Sequence, residues 1–168
     1  MTTPIETATV ETATGAFWFA AKDGALVAAG FSESAPRLLA RLEARFGPLE
    51  PREASDPAGA ASAFRRFLAG ERAALESVPV DLGGTSFQRD VWAALRGIPT
   101  GTTITYAELA RRVGRPRAVR AVGGANGANP ISIIVPCHRV VGKDGLRGYA
   151  GGVARKEWLL AHERAMSV

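Results

Sequence analysis

Residues 105–124, TYAELARRVGRPRAVRAVGG, hold two helical patterns around one turn. Thr105 is a good N-cap residue, and Glu108 follows at the spacing of a capping box. The first helix is read over YAELARRVG, the turn over RPR, and the second helix from about Pro116 to Gly124. A short helix, a tight turn and a second helix make the outline of a helix-turn-helix. Arg115, Arg117 and Arg120 fall at the turn and on the second helix. An ordinary helical hairpin with a solvated basic face has the same outline, and taken alone it is the commoner one. Charge tips the reading. Residues 1–82 carry 8 Lys/Arg against 11 Asp/Glu, whereas residues 83–168 carry 13 against 5. A strongly basic half around such a helix pair points to DNA or another polyanion.

Working outward, the loop GANGANP leads into IIVPCHRVV at 133–141, an apolar run read as a buried strand. A Gly-rich loop, GKDGLRGYAGG, precedes a last helix from about Val153 to Ala165. Upstream, Thr85 or Ser86 caps a helix from Phe87 to Arg96, with Phe87, Val91, Trp92 and Leu95 on one face. Gly83-Gly84 reads as a hinge. Before it, the first dozen residues read as frayed. Residues 17–21 and 25–31 form a hairpin about Lys22-Asp23-Gly24. A helix capped by Ser34 stops near Gly47-Pro48. PREASDPAG is a loop, Ala60 to Leu68 a helix, and ALESVPVDL a strand. The expected organisation is α+β, with an α/β unit at 1–82 and a mostly helical unit at 83–168.

The chain of 168 residues is 46% hydrophobic and 22% charged, as in a soluble globular protein. No apolar run approaches the about 20 residues of a membrane span. The first fifteen residues have neither a basic cluster nor an apolar core, so they are not read as a secretory signal. A single cysteine makes no internal disulfide, which fits a reducing, cytoplasmic setting. One cysteine and two histidines make a dedicated zinc site an unfavoured reading, so no metal is expected.

That cysteine, Cys137, lies beside His138 and Arg139 in the middle of the apolar run. A thiol is nucleophilic only as thiolate, and a free cysteine has a pKa near about 8.5. His138 is the candidate base. On a regular strand, neighbours point to opposite faces, so direct contact is awkward. Pro136 bends or ends the strand, and a bend or one bridging water connects thiol to imidazole. A carboxylate on the last helix, Glu157 or Glu163, would orient the imidazole. A free cysteine is more often a small buried hydrophobe, but that leaves the clustered Cys-His-Arg unexplained.

PCHRV at 136–140 resembles the active-site signature of the O6-alkylguanine-DNA alkyltransferases, the methylated-DNA–protein-cysteine methyltransferases. The resemblance is continuous over about 83–165. SFQRDVWAALRGIPTGTTITYAELARRVG, RAVRAVGGANGANPISIIVPCHRVVGKDG, GYAGG and KEWLLAHE stand in the family's order. The first half is only loosely similar. The resemblance implies an N-terminal ribonuclease-H-like α/β domain, then a winged-helix-like DNA-binding domain with a helix-turn-helix. It implies that double-stranded DNA containing O6-alkylguanine is the partner, with O4-alkylthymine as a second substrate. The damaged base is flipped out, because O6 lies on a paired edge inside the duplex. Its alkyl group passes irreversibly to Cys137, so each molecule reacts once.

By similarity, His138 is the water-mediated base, Glu163 its orienter, and Asn129 holds the loop beneath. Tyr106 rotates a phosphate and hydrogen-bonds the leaving guanine. Arg120 fills the gap in the base stack. Ala121 and Gly123 let the second helix approach the minor groove, and Gln88, Arg115 and Lys143 contact backbone or flanking bases. Val140, Tyr149, Ala150 and Gly151 line the pocket. A cytoplasmic monomer is implied, with no cofactor, no metal and no membrane partner. The loop Gly145–Tyr149 is one residue shorter than in many relatives, and Arg147 in it is a further candidate DNA contact. The cysteine and histidine ligands of the N-terminal zinc site that some members carry are absent.

Two other classes share parts of the pattern. A non-catalytic damage sensor or regulator would use the helix pair without needing Cys137. A cysteine hydrolase built on Cys137, His138 and Glu163 would turn over an ester or amide many times.

Overall fold

The structure, a computed structural model, describes residues 1–146 and 148–166. Arg147 lies outside the described residues, and the expectation for it with it. The first half holds a four-stranded sheet of order β3-β2-β1-β4. Strands β1 (Thr3–Thr12), β2 (Gly15–Lys22) and β3 (Ala25–Phe31) form an antiparallel meander. At the β2–β3 turn, Asp23 and Gly24 both have positive φ, 50° and 82°, as a two-residue hairpin loop of matching twist requires. Helix α1 (Ala35–Phe46) then returns the chain to β4 (Leu49–Glu53), which pairs parallel with β1.

β2 is buried on both faces, and its side chains alternate between two cores. Phe17 and Phe19 meet Phe64 of α2 (Ala60–Leu68), with Phe17 and Phe64 stacked at 4.8 Å. Trp18 and Ala20 face the other way, onto Leu38 and Leu42 of α1. The Phe17 side belongs to one apolar cluster that runs on into the second half. There it takes in Val91, Trp92 and Leu95 of α3 (Ser86–Arg96), Leu109 of α4 (Tyr106–Arg112), Val122 of α5 (Val119–Gly127) and Leu159 of α6 (Val153–Arg164). Trp92, placed by its spacing on the apolar face of α3, is fully buried, and its Nε1 donates to Ala125 O at 2.8 Å. A two-stranded parallel pair, β5 (Ile104–Thr105) and β6 (Val140–Val141), ties the start of α4 to the chain just after Cys137.

Several sequence expectations are corrected. The first dozen residues are not frayed but form β1, an inner strand; its Glu- and Thr-rich pattern hides that only Ile5 and Val10 must be buried. PREASDPAG is not all loop, since its start pairs as β4, a long-range partnership that no local pattern announces. ALESVPVDL is a run of turns with one bridge, Val80 to Leu26, rather than a strand. Helix α5 starts later than Pro116 and continues through Ala125-Asn126-Gly127, which had read as loop.

The largest correction concerns 133–141. The run is largely buried as expected, but only its last two residues, Val140–Val141, pair as a strand, β6; the rest is not extended. Ile133 takes φ +70°, Ile134 N donates to Ser132 O and Val135 N to Ile131 O, and Cys137–Arg139 form a 3-10 turn. Positive φ at a β-branched residue is an outlier that the surroundings must enforce. Asn129 supplies part of that enforcement: its Nδ2 donates to Val135 O at 2.8 Å and its Oδ1 accepts from Ile131 N at 3.0 Å. β3 supplies more, with Ala29 N donating to Pro130 O and Ser132 N to Ala29 O. Because the chain is wound rather than extended, neighbours no longer alternate faces.

Candidate active site

Cys137 opens the 3-10 turn and lines a cavity of about 320 Å³. Tyr106 from the first turn of α4, Gly123, Asn126 and Gly127 from α5, then Asn129, Ser132, Gly148, Tyr149 and Ala150 complete the lining. The turn is held from α5, where Asn126 Nδ2 lies 3.5 Å from Cys137 O. Tyr106 also lines a second cleft with Ala107, Arg111, Val119 and Lys143, so it stands between the two.

Behind Cys137, the turn drives the next two side chains into the core. His138 and Glu163 are fully buried and 2.8 Å apart, Nε2 to Oε2. Arg139 grips the same carboxylate with two bonds, Nε to Oε1 at 2.9 Å and Nη2 to Oε2 at 2.8 Å. Its remaining donors reach Ile98 O at 2.7 Å and Thr100 Oγ1 at 3.1 Å. Burial alone would raise the Glu163 pKa, but His138 and Arg139 outweigh it and bring it down to about 2. The ionised carboxylate must therefore accept from Nε2, which fixes the imidazole tautomer and leaves Nδ1 with the lone pair. Nδ1 is buried and has no hydrogen-bond partner among the described residues. Burial pushes the His138 pKa below its usual value against the pull of Glu163, so the imidazole is neutral and basic at neutral pH.

Burial also pushes the Cys137 thiol up, opposed by Asn129 and by the charge of Lys156. Lys156 is itself fully buried on α6, and its Nζ donates to Val140 O at 2.7 Å. The resting thiol is thus protonated, and a base must act for it to become a nucleophile. Burial raises the Tyr149 hydroxyl well above the usual phenol range.

The structure brings Cys137, Asn129, Tyr106, Tyr149 and Ala150 to one cavity, with Gly123 in its floor, and joins His138 to Glu163 behind it. Arg115, Arg120 and Ala121 are exposed on the face that carries the helix pair, and Lys143 is exposed beside the second cleft. Val140 is fully buried and contributes its carbonyl to Lys156 instead of a lining surface. Gly151 sits behind the lining, packed between Tyr149 and Phe31. Gln88 closes the capping box of α3, its Oε1 accepting from Thr85 N at 2.9 Å. Glu157 is exposed, which leaves Glu163 as the carboxylate at the imidazole.

Sequence reasoning passed over Arg139 and Lys156. A guanidinium inside an apolar run was the signal for the first. For the second, Lys156, Leu159, Leu160 and Glu163 share one helix face, so a lysine among leucines pointed inward. Asn126 and Ser132 gave no comparable signal.

The family model for "6-O-methylguanine DNA methyltransferase, DNA binding domain" matches residues 86–165. The structure is similar to the crystal structure of the Mycobacterium tuberculosis O6-methylguanine methyltransferase, with TM-score 0.78 and 36% identity over 98% of this chain and 95% of that one. The chain belongs to the methylated-DNA–protein-cysteine methyltransferase family. The methylated-DNA–protein-cysteine methyltransferase of Shigella flexneri is 55% identical over 111 residues, which span 66% of this chain and 65% of that protein. A second Mycobacterium tuberculosis structure, solved in complex with DNA, matches with TM-score 0.77 and 39% identity over 95% of this chain and 93% of that one. The mixed α+β architecture is the one these family members share with this chain.

Proposed function

We propose that this protein repairs DNA by moving the alkyl group of O6-alkylguanine onto Cys137. One observation carries the reading: the single cysteine of the chain lines a cavity of about 320 Å³ whose back is a buried His138–Glu163–Arg139 cluster and whose rim leads to an exposed arginine-bearing helix. The relative solved in complex with DNA supports DNA as the partner.

His138 Nδ1, through one water, takes the Cys137 proton. The thiolate attacks the alkyl carbon, the Sγ–C bond forms, and the C–O6 bond breaks with its electron pair passing to the guanine ring. Tyr106 hydrogen-bonds that ring as negative charge builds. The imidazolium is stabilised by the Glu163 carboxylate, which Arg139 keeps in place. The base enters the cavity by flipping, which α5 assists by placing Arg120 into the vacated stack. O4-alkylthymine, with the same alkyl-oxygen bond, is a second substrate. A thioether is not hydrolysed by water, so each protein molecule acts once, with no cofactor. The same reading divides the chain into a ribonuclease-H-like unit at 1–82 and a winged-helix-like unit at 83–168, acting as a cytoplasmic monomer.

The test is mass spectrometry after incubation with duplex DNA containing O6-methylguanine. One methyl group on the peptide containing Cys137, and none in Cys137→Ala, is expected. A wild-type protein that gains no mass overturns the reading, and repeated turnover of an ester would favour a hydrolase. Arg120→Ala should slow repair of duplex DNA at least about tenfold more than reaction with the free base, since only the duplex has a gap to fill.

A further inference from the structure

The wall of the Cys137 cavity formed by Tyr149 and Ala150 does not stand by itself. It leans on the first half. A Cβ placed on Gly151 would lie 2.8 Å from Tyr149 Cε2 and 3.1 Å from Phe31 Cδ2, so the wall segment packs directly on the last residue of β3. Arg155, the third residue of α6, covers that contact. Its guanidinium lies over the Phe31 ring, 3.9 Å from the centroid. Nε donates to Thr14 O, in the β1–β2 turn, at 2.9 Å. Nη1 pairs with Glu33 and lies 3.4 Å from Gly151 O in the wall itself. Gly15 provides the slot: a Cβ there would fall 2.7 Å from Arg155 Nη2.

An isolated ion pair to an exposed carboxylate, such as Arg155–Glu33, contributes little and would not by itself fix a loop. Here one cation is stacked, hydrogen-bonded and ion-paired to two separate segments of the first half, the β1–β2 turn and residues 31–33, while it reaches the wall. The wall is tied to β3 by the packing of Gly151 on Phe31 and by the Arg155 contact with Gly151 O, and the bonds to Thr14, Glu33 and Phe31 hold the guanidinium that makes that contact. None of these partners is Cys137, His138, Glu163 or Tyr106, so the clamp is separate from the reacting groups.

We infer that Arg155 is a specificity-determining positioning residue: by clamping the 149–151 wall to the N-terminal sheet, it sets how large an alkyl group the cavity admits. The inference rests on the alkyl-transfer reading above. A methyl group needs no movement of the wall. A benzyl group presses on it, so wall stiffness acts on the bulky adduct and spares the small one. The first half thereby acquires a role in the reaction without supplying a reacting group.

The experiment compares single-turnover rate constants for O6-methylguanine and O6-benzylguanine in the full-length wild type, Arg155→Met, Arg155→Lys and Glu33→Gln. In Arg155→Met the benzyl-to-methyl ratio is expected to rise about three- to tenfold, the factor that loss of one or two net hydrogen bonds supplies. Arg155→Lys, which keeps the charge, should restore part of the wild-type ratio, and Glu33→Gln should raise it by less than Arg155→Met. An unchanged ratio, or equal slowing of both adducts, overturns the inference while leaving alkyl transfer intact. If Arg155→Met does not fold, Glu33→Gln decides by the same ratio, because Glu33 is exposed and its change leaves the stack on Phe31 in place. A wild type that reacts with neither adduct overturns the transfer reading itself.

Discussion

Glu163 is the residue on which the electrostatics of the site turn. It is fully buried, yet it stays ionised because His138 and Arg139 both face it. Its carboxyl titrates at about 2 in the fold against 4.5 for the free side chain. A depressed carboxylate stabilises the fold above its unfolded pKa, and that stability is lost as pH falls through the folded one. Urea unfolding of the wild type should therefore lose about 3 kcal/mol between pH 4.5 and 2 that Glu163→Gln does not lose. His138, depressed by burial, acts in the same direction from pH 6.5 downward. At pH 7, Glu163→Gln should cost about 3–5 kcal/mol, because it strands the Arg139 guanidinium in the core. The rate of transfer should hold level as pH falls through 6.5 and decline only at lower pH, where Nδ1 takes a proton. A stopped-flow pH profile whose acid limb sits at or above 6.5 would contradict the buried neutral imidazole.

At the scale of elements, the two N-caps of the second half differ in a way that activity can read. Thr85 makes a full capping box with Gln88, Oγ1 accepting from Gln88 N at 3.1 Å. Thr105 makes only half of one. It accepts from Glu108 N at 3.1 Å, but the Glu108 carboxylate turns to Arg111 and Arg112. Replacing either threonine by alanine should cost about 1 kcal/mol in urea unfolding. Thr105→Ala should also slow transfer, because Tyr106 is the first residue of α4 and frays with the cap; Thr85→Ala should not.

Elements with local signals were legible from sequence. The β2–β3 hairpin had its Asp-Gly turn, and α1 to α4 and α6 had their apolar faces and stop residues. β1 and β4 were not legible, since their order comes from pairing across the chain. The shape of 133–141 was hidden for a related reason. Its composition is that of a strand, but Asn129 and β3 impose a wound path on it. Cys137, His138 and Glu163 were readable as residue types and in order. Arg139 and Lys156 acquire their buried partners only once α6 packs behind the turn.

On the scale of the whole molecule, the proposed DNA partner would be met by the basic second half. Log affinity for duplex should fall linearly with log salt, and Arg115→Ala or Lys143→Ala should each lower the slope by about 0.9 if each meets one phosphate. Filter binding from low to physiological salt measures this. The apolar cluster runs from Phe17 through Trp92 to Leu159 without a break between halves. Heat should therefore unfold the protein in one transition by calorimetry, not two.

The last helix is gripped at both ends by the first half, through Arg155 at Thr14 and Phe31 and through His162, whose ring nitrogen lies 2.9 Å from Phe67 O. Residues 130–132 also run beside β3. The peptide link at Gly83-Gly84 is thus one joint among several. Two fragments made separately, 1–83 and 84–168, are expected to reassemble when mixed, and if they do the molecule would suit a split reporter.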